Sequence, residues 1–166
     1  MKVPERLRQL DNAVIGFMRV RSIQILRIAL GIVFIWFGAL KILGVSPIAD
    51  VAAATLFFLP AQVAVVGMGV IEVIIGLGLL SGLAMRLVLL LFLAQMLGTF
   101  VTMIVRPDLV FNGGNPLELT KNGEFIIKNL VLISAGLVIL GGVPKARPSQ
   151  DVPEMLAGGP DGARVT

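Results

Sequence analysis

Cysteine, histidine and tyrosine are all absent from this chain of 166 residues. Without cysteine there are no disulfides, and the redox compartment leaves no mark on the sequence. Without thiol, imidazole or phenol, the usual nucleophiles and proton shuttles are missing, and no serine triad can be assembled without its histidine base. Zinc and histidine-ligated haem sites go with them, so no catalytic residue, metal set or resident cofactor is expected within the chain. No phosphate-binding loop or dinucleotide fingerprint replaces them. Charge is scarce too: 14% of residues are charged, against 57% hydrophobic. A soluble domain of this length cannot bury so much apolar surface, and a lipid bilayer is the expected solvent and partner. The net charge of +4 gathers beside the first apolar run, which favours anionic lipid and speaks against nucleic acid.

What is present is four long apolar runs, at about 27–45, 61–82, 85–105 and 124–142. Each is long enough, at ~1.5 Å per residue, to cross ~30 Å of hydrocarbon. The expected fold is an all-α integral membrane protein, with a four-transmembrane-helix bundle over residues 23–143. Residues 1–22 read as a basic amphipathic interfacial helix. Leu7, Leu10, Val14, Phe17 and Met18 recur at helical spacing, flanked by Arg6, Arg8, Arg19 and Arg21, as in helices that lie on a membrane surface. Residues 144–166, with several prolines and glycines, are expected to form a disordered cytoplasmic tail. The first run is no cleaved leader: it is too long, lacks a small-residue cleavage site and precedes further spans.

Lys2, Arg6, Arg8, Arg19, Arg21 and Arg27 lie before or at the start of the first span, Arg86 in the tight second connection, and Lys145 and Arg147 after the last span. Positive-inside reasoning sets all of them, and both termini, in the cytoplasm. Segments 46–60 and 106–123 then face outward. The first is apolar enough for a short helix on or in the outer interface; the second is rich in turn residues. GLGLLSG at 76–82 and GLVILGG at 136–142 share a Gly-Leu-x-x-Leu-x-Gly frame. That suits two helical hairpins related by an axis along the membrane normal.

Ionisable and amide groups inside hydrocarbon are costly and therefore the first functional candidates. Glu72 lies ten residues from Gly82, and Gln95 nine from Arg86, which sets both ~14–15 Å deep, near the midplane. Lys41 and Lys128 lie about one turn further outward, with Glu124 one turn beyond Lys128. Stripes of small residues accompany each of them: Gly69 and Gly76 with Glu72, Gly98 with Gln95, Gly31 and Gly38 with Lys41, Ala135 and Gly142 with Lys128. Small residues let helices approach, so these faces are expected to turn inward. The expected polar cluster, a ligand site, is Lys41, Glu72, Gln95 and Lys128, with Glu124 and Asn129 at its outer edge. The plainer alternative is that Lys41 pairs with Glu72, and Lys128 with Glu124, to set helix register. Arg27 and Arg86 read as side chains that snorkel to the inner interface.

RIALGIVFIWFGALKIL in the first span, GVIEVIIGLGLLSG in the second and NGEFIIKNLVLISAGLVIL in the fourth resemble the DoxX-like superfamily. FIWFGALK is most similar to its YkgB-type small four-helix bacterial membrane proteins. The resemblance spans about residues 23–142. Its distinctive positions are Lys41 after FGAL, Glu72 before the glycines, and Glu124, Lys128 and Asn129. It implies a bacterial inner-membrane bundle associated with quinone-linked redox chemistry, with membrane redox complexes or with oxidative-stress tolerance. Three functions are carried forward. The first is a non-catalytic accessory subunit or binder of a quinone or lipid. The second is the membrane subunit of a quinone-coupled oxidoreductase, whose redox centre a partner subunit would carry. The third is a small proton-coupled transporter, working as a homodimer through Glu72.

Overall fold

The computed structural model describes residues 5–143; the tail expected over 144–166 lies outside them. The described chain is helical almost throughout. Helix α1 runs Glu5–Ile42, α2 Ala49–Thr55, α3 Ala61–Ser81, α4 Met85–Gly98, α5 Val101–Val105, α6 Pro107–Val110 and α7 Lys121–Gly141. Four stretches are long and apolar enough to cross a membrane: α1, α3, α4 with α5 as one span of Met85–Val105, and α7. The protein is a four-helix membrane bundle. Its basic end holds Arg27 and the α3–α4 turn with Arg86; its other end carries α2 and α6.

Several elements differ from expectation. The boundary drawn at residue 22 is no break, because α1 is one helix of 38 residues. RVRSIQIL, across that junction, contains neither proline nor glycine, and nothing in it interrupts the hydrogen-bond ladder. Residues 5–25 of α1 are exposed along their whole length. The third span is interrupted at Thr99–Phe100, where Phe100 N bonds to Leu97 O at 3.1 Å and Thr102 N to Thr99 O at 3.2 Å. These i→i+3 bonds tighten the helix locally. Thr99 Oγ1 donates to Met96 O at 2.7 Å, and such back-bonding competes with the regular ladder.

The chain folds as two hairpins of like layout, α1–α2–α3 and α4/α5–α6–α7, each with a short helix in its connection. The repeat read in the sequence coincides with this division. Gly76 packs on α1, where an added Cβ would meet Ile35 and Gly31, while Gly136 packs on α4 against Phe92 and Leu93. Contact is closest between α1 and α3. A Cβ on Gly38 would lie 2.5 Å from Gly69 O, one on Gly69 would lie 2.8 Å from Gly38 O, and Gly31 and Gly76 face each other in the same reciprocal way. Backbone thus touches backbone at two levels one heptad apart, the approach that glycine permits in lipid.

The main apolar core, around Leu30, Phe34, Ile75, Leu79, Phe92, Met96 and Ile139, fills the basic half of the bundle. A second cluster of Val51, Val110 and Ile126 sits under α2 and α6. Helix α2 is therefore not merely interfacial: Val51, Ala52, Ala54 and Thr55 are buried. Helix α7 starts at Lys121, three residues before the expected start. Thr120 caps it, its Oγ1 accepting from Gly123 N at 3.0 Å, which satisfies one of the free amides of the first turn. Outside the spans, Arg106 and Asp108 form an exposed pair at 2.7 Å. It holds the Asp108 carboxyl below its ordinary range and the Arg106 guanidinium above its own.

Candidate functional site

Helix side chains lean toward their own N-terminus. On α1, which runs toward the α2 end, Lys41 therefore leans back toward the basic end. On the antiparallel α3, Glu72 leans toward the α2 end. The two residues stand one turn beyond Gly38 and Gly69, at the edge of the glycine seam, and the opposed leans bring them together. Lys41 Nζ donates to both carboxylate oxygens of Glu72, at 2.8 Å to Oε1 and 2.6 Å to Oε2. Lys41 is only 2% exposed and Glu72 is likewise buried. An unpaired charge at this depth would be prohibitive, whereas a bridged pair is neutral as a unit.

Gln95, from α4, completes the first group: its Nε2 donates to Glu72 Oε1 at 3.0 Å. The amide orientation follows from the carboxylate, which can only accept. Gln95 Oε1 is then left buried with no hydrogen-bond partner. A second buried group lies toward α7 and α2. Asn129 Nδ2 donates to Thr99 Oγ1 at 2.7 Å. Thr55 and Thr102 hydroxyls lie 3.1 Å apart, and both reach Val51 O, at 2.9 and 3.4 Å. The hydroxyl of Thr55 was not expected in the interior. Its signal was the i,i+4 spacing from Val51 in a short apolar stretch, which buries both on one face of α2.

Of the expected cluster, the fold brings Lys41, Glu72 and Gln95 into direct contact and Asn129 to the same interior. It does not bring Lys128 or Glu124 there. These two pair with each other at 3.4 Å, with side chains 73% and 61% exposed. Ala135 and Gly142, the small residues in line with Lys128, do not form the inward face of α7. The stripe that faces inward instead runs through Gly123, Ile126, Asn129, Gly136 and Ile139. One residue along a helix is a turn of ~100°, enough to carry Lys128 from the interior to the surface.

Between the two apolar clusters lies a narrow cavity of about 20 Å³, room for roughly one water. Phe34, Met68 and Met96 form apolar walls, while Lys41 and Glu72 face Thr99 and Asn129 across it. Beside it is a wider chamber of about 140 Å³, lined by Phe37, Leu40, Lys41, Ser46, Pro47, Ile48 and Phe125. Lys41, Phe37, Ile48 and Phe125 belong to both. Phe37 of α1 and Phe125 of α7 approach with ring centroids 6.3 Å apart. The residue that neutralises Glu72 thus also lines two largely apolar spaces. An ammonium has three donors, and the hydrogen bonds to Glu72 use two of them.

Among the described residues no cluster of acidic side chains suited to a metal ion occurs. A family model described as DoxX matches residues 22–104. That stretch contains Lys41, Glu72 and Gln95, while Asn129 lies beyond it. No curated protein and no solved structure matches the chain.

Proposed function

The chain belongs to the DoxX family, and from that premise we propose that it is a non-catalytic membrane protein binding the polar head of a small lipophilic carbonyl compound, of which quinones are the nearest class. The observation that carries this reading is the position of Lys41. Glu72 holds its ammonium, and the residue lines both the inner cavity and the outer chamber. A carbonyl oxygen accepts from an ammonium without disturbing the neutrality of the pair. The aromatic walls of Phe37 and Phe125 suit a flat, polarisable ring. The chamber of about 140 Å³ admits a ring, and the inner cavity of about 20 Å³ does not. The head would therefore rest beside Phe37 and Phe125, with its tail leaving into the bilayer between α1 and α7.

The surroundings of Glu72 do not favour proton-coupled transport, since both of its oxygens are already bridged by Lys41. Quinone chemistry would require a partner subunit carrying a redox centre, because the chain supplies no cysteine, histidine or tyrosine. The same proposal takes in what the DoxX resemblance implies, a place in a bacterial inner membrane and a role in redox or oxidative-stress tolerance, with both termini cytoplasmic. The crowding of arginine at the basic end supports the orientation.

The test is a titration of the purified protein in lipid nanodiscs with decylubiquinone, followed by thermal shift. A photoactivatable quinone analogue then maps the contact. Saturable stabilisation, with crosslinks on the peptides carrying Phe37 and Phe125, is expected. Absence of a saturable shift, or crosslinks confined to the outward-facing Trp36 side of α1, would remove the proposal.

A further inference from the structure

At the opposite end of the bundle, Arg27 of α1 sits in a cleft of about 260 Å³. The cleft is lined by Ile23, Gln24, Arg27, Gly82, Met85 and Ile139, and closed by the end of α7 at Gly142 and Val143. Its two walls are equivalent points of the two hairpins. Gly82 ends α3 with φ of 76°, and Gly142 ends α7. The guanidinium approaches Gly82 through Nη1, which would lie 3.0 Å from an added Cβ, while Ile23 packs on Gly142 at 3.2 Å by the same measure.

A snorkelling arginine ordinarily extends its head into water or onto a carboxylate. Arg27 does neither completely. Its Nε is buried with no hydrogen-bond partner, and no acidic side chain among the described residues forms an ion pair with it. Gln24, beside it, is already engaged through Oε1 by Arg21 Nη1 at 2.9 Å, which leaves the amide group of Gln24 as a further donor at the rim. The cleft thus combines one cation, one donor amide and apolar walls of Ile23, Met85 and Ile139. It lies at the end of the bundle where α3 and α7 finish, and a span's end is where lipid headgroups meet the hydrocarbon.

We propose that this cleft is a binding site for the phosphate of an anionic phospholipid in the leaflet at the basic end. Arg27 would make the charge-assisted contact, and Ile23, Met85 and Ile139 would take the first methylenes of the acyl chains. A guanidinium forks onto phosphate oxygens in a way that an ammonium does not, so the identity of the cation matters as well as its charge. The site stands apart from the Lys41 chamber and does not depend on what that chamber holds.

The full-length protein is examined by native mass spectrometry after release from nanodiscs of phosphatidylcholine with added phosphatidylglycerol. Thermal stability is followed in parallel in detergent with phosphatidylglycerol, phosphatidylcholine or inorganic phosphate. Wild type is expected to retain phosphatidylglycerol at least tenfold over phosphatidylcholine and to be stabilised by it. Arg27→Gln is expected to lose that preference, Arg27→Lys to recover only part of it, and Arg86→Gln, which removes the same charge at the same end, to keep it. Stabilisation by inorganic phosphate equal to that by phosphatidylglycerol would assign the cleft to a soluble phosphate and overturn the lipid assignment. Equal retention of both lipids by wild type would overturn the site altogether, whether or not the variants fold. So would an unchanged preference in a folded Arg27→Gln.

Discussion

An ammonium and a carboxylate that are both withdrawn from water are stable only together, and this fixes what single substitutions at the site should do. Removing one member of the Lys41–Glu72 pair leaves a buried charge, which costs about 3–5 kcal/mol in typical proteins, whereas replacing both by apolar groups of like volume is often neutral or better. Lys41→Met is therefore expected to destabilise the bundle strongly, and Lys41→Met with Glu72→Met to recover most of the loss. Reversible denaturant unfolding in mixed micelles reads this directly. A double variant no more stable than Lys41→Met would mean that the pair is not the interacting unit that the geometry describes. This pairing was legible in the sequence because lysine and glutamate are rare in apolar spans and their depths can be counted from the basic end. Lys128 shows the limit of the same argument. Its depth was readable, but its direction depended on choosing between two stripes of small residues that differ by one position. The stripe that matters, Asn129 with Gly136, has the same heptad spacing as Lys128 with Ala135 and Gly142, so periodicity alone does not choose between them.

Among the elements, α1 and α3 form the tightest seam, and its glycines separate by what lies over them. Gly38 meets Gly69 O and Val73 N within 2.9 Å of an added Cβ, while Gly67, on the same α3, meets nothing within 4 Å. Gly38→Ala must push two helix backbones apart, a cost of about 1–3 kcal/mol for overpacking. Gly67→Ala meets no obstacle and gains helix propensity of up to ~1 kcal/mol. The two variants are thus expected to shift the thermal midpoint in opposite directions, and a shift of like sign and size for both would contradict the seam. Because Lys41 and Glu72 stand one turn from Gly38 and Gly69, the Gly38 variant should also weaken the quinone binding proposed for the Lys41 chamber. Element ends were less legible than element existence. The start of α7 is set by the hydroxyl of Thr120, a single capping contact. The interruption at Thr99 is set by a hydroxyl turned back on Met96 O. Both are choices made by one side chain, and hydropathy averages over them. Continuity of α1 through residue 22 was hidden for the opposite reason: a change in composition from basic to apolar does not require any change in backbone.

For the molecule as a whole, the two hairpins give the bundle two unlike ends. One holds Arg27 and Arg86 at the ends of α3 and α7, with the arginine-bearing first half of α1 leading into it, and the other closes with α2, α6 and the loop that precedes α7. Each proposed site belongs to one end, so the orientation of the bundle decides which leaflet each of them meets. The absence of cysteine makes that orientation directly measurable, because a single introduced thiol is the only one in the chain. Gly16 on α1 and Asn112 in the loop after α6 are both exposed, and a side chain at Gly16 would meet nothing within 4 Å. In intact bacterial cells, Asn112→Cys is expected to react with a membrane-impermeant maleimide, and Gly16→Cys to react only after the membrane is opened. The physical ground is the cost of moving arginine-rich segments outward across the membrane, which the segment around Asn112, with fewer basic residues, does not incur to the same degree. The reverse labelling pattern would turn the Arg27 cleft to the outer leaflet and the Lys41 chamber to the inner half of the bilayer, leaving the geometry of both sites intact while exchanging the leaflets they face. Labelling of both positions in intact cells would mean that the bundle inserts both ways round. The arginines would then be too weakly biased to fix the side on which either site works.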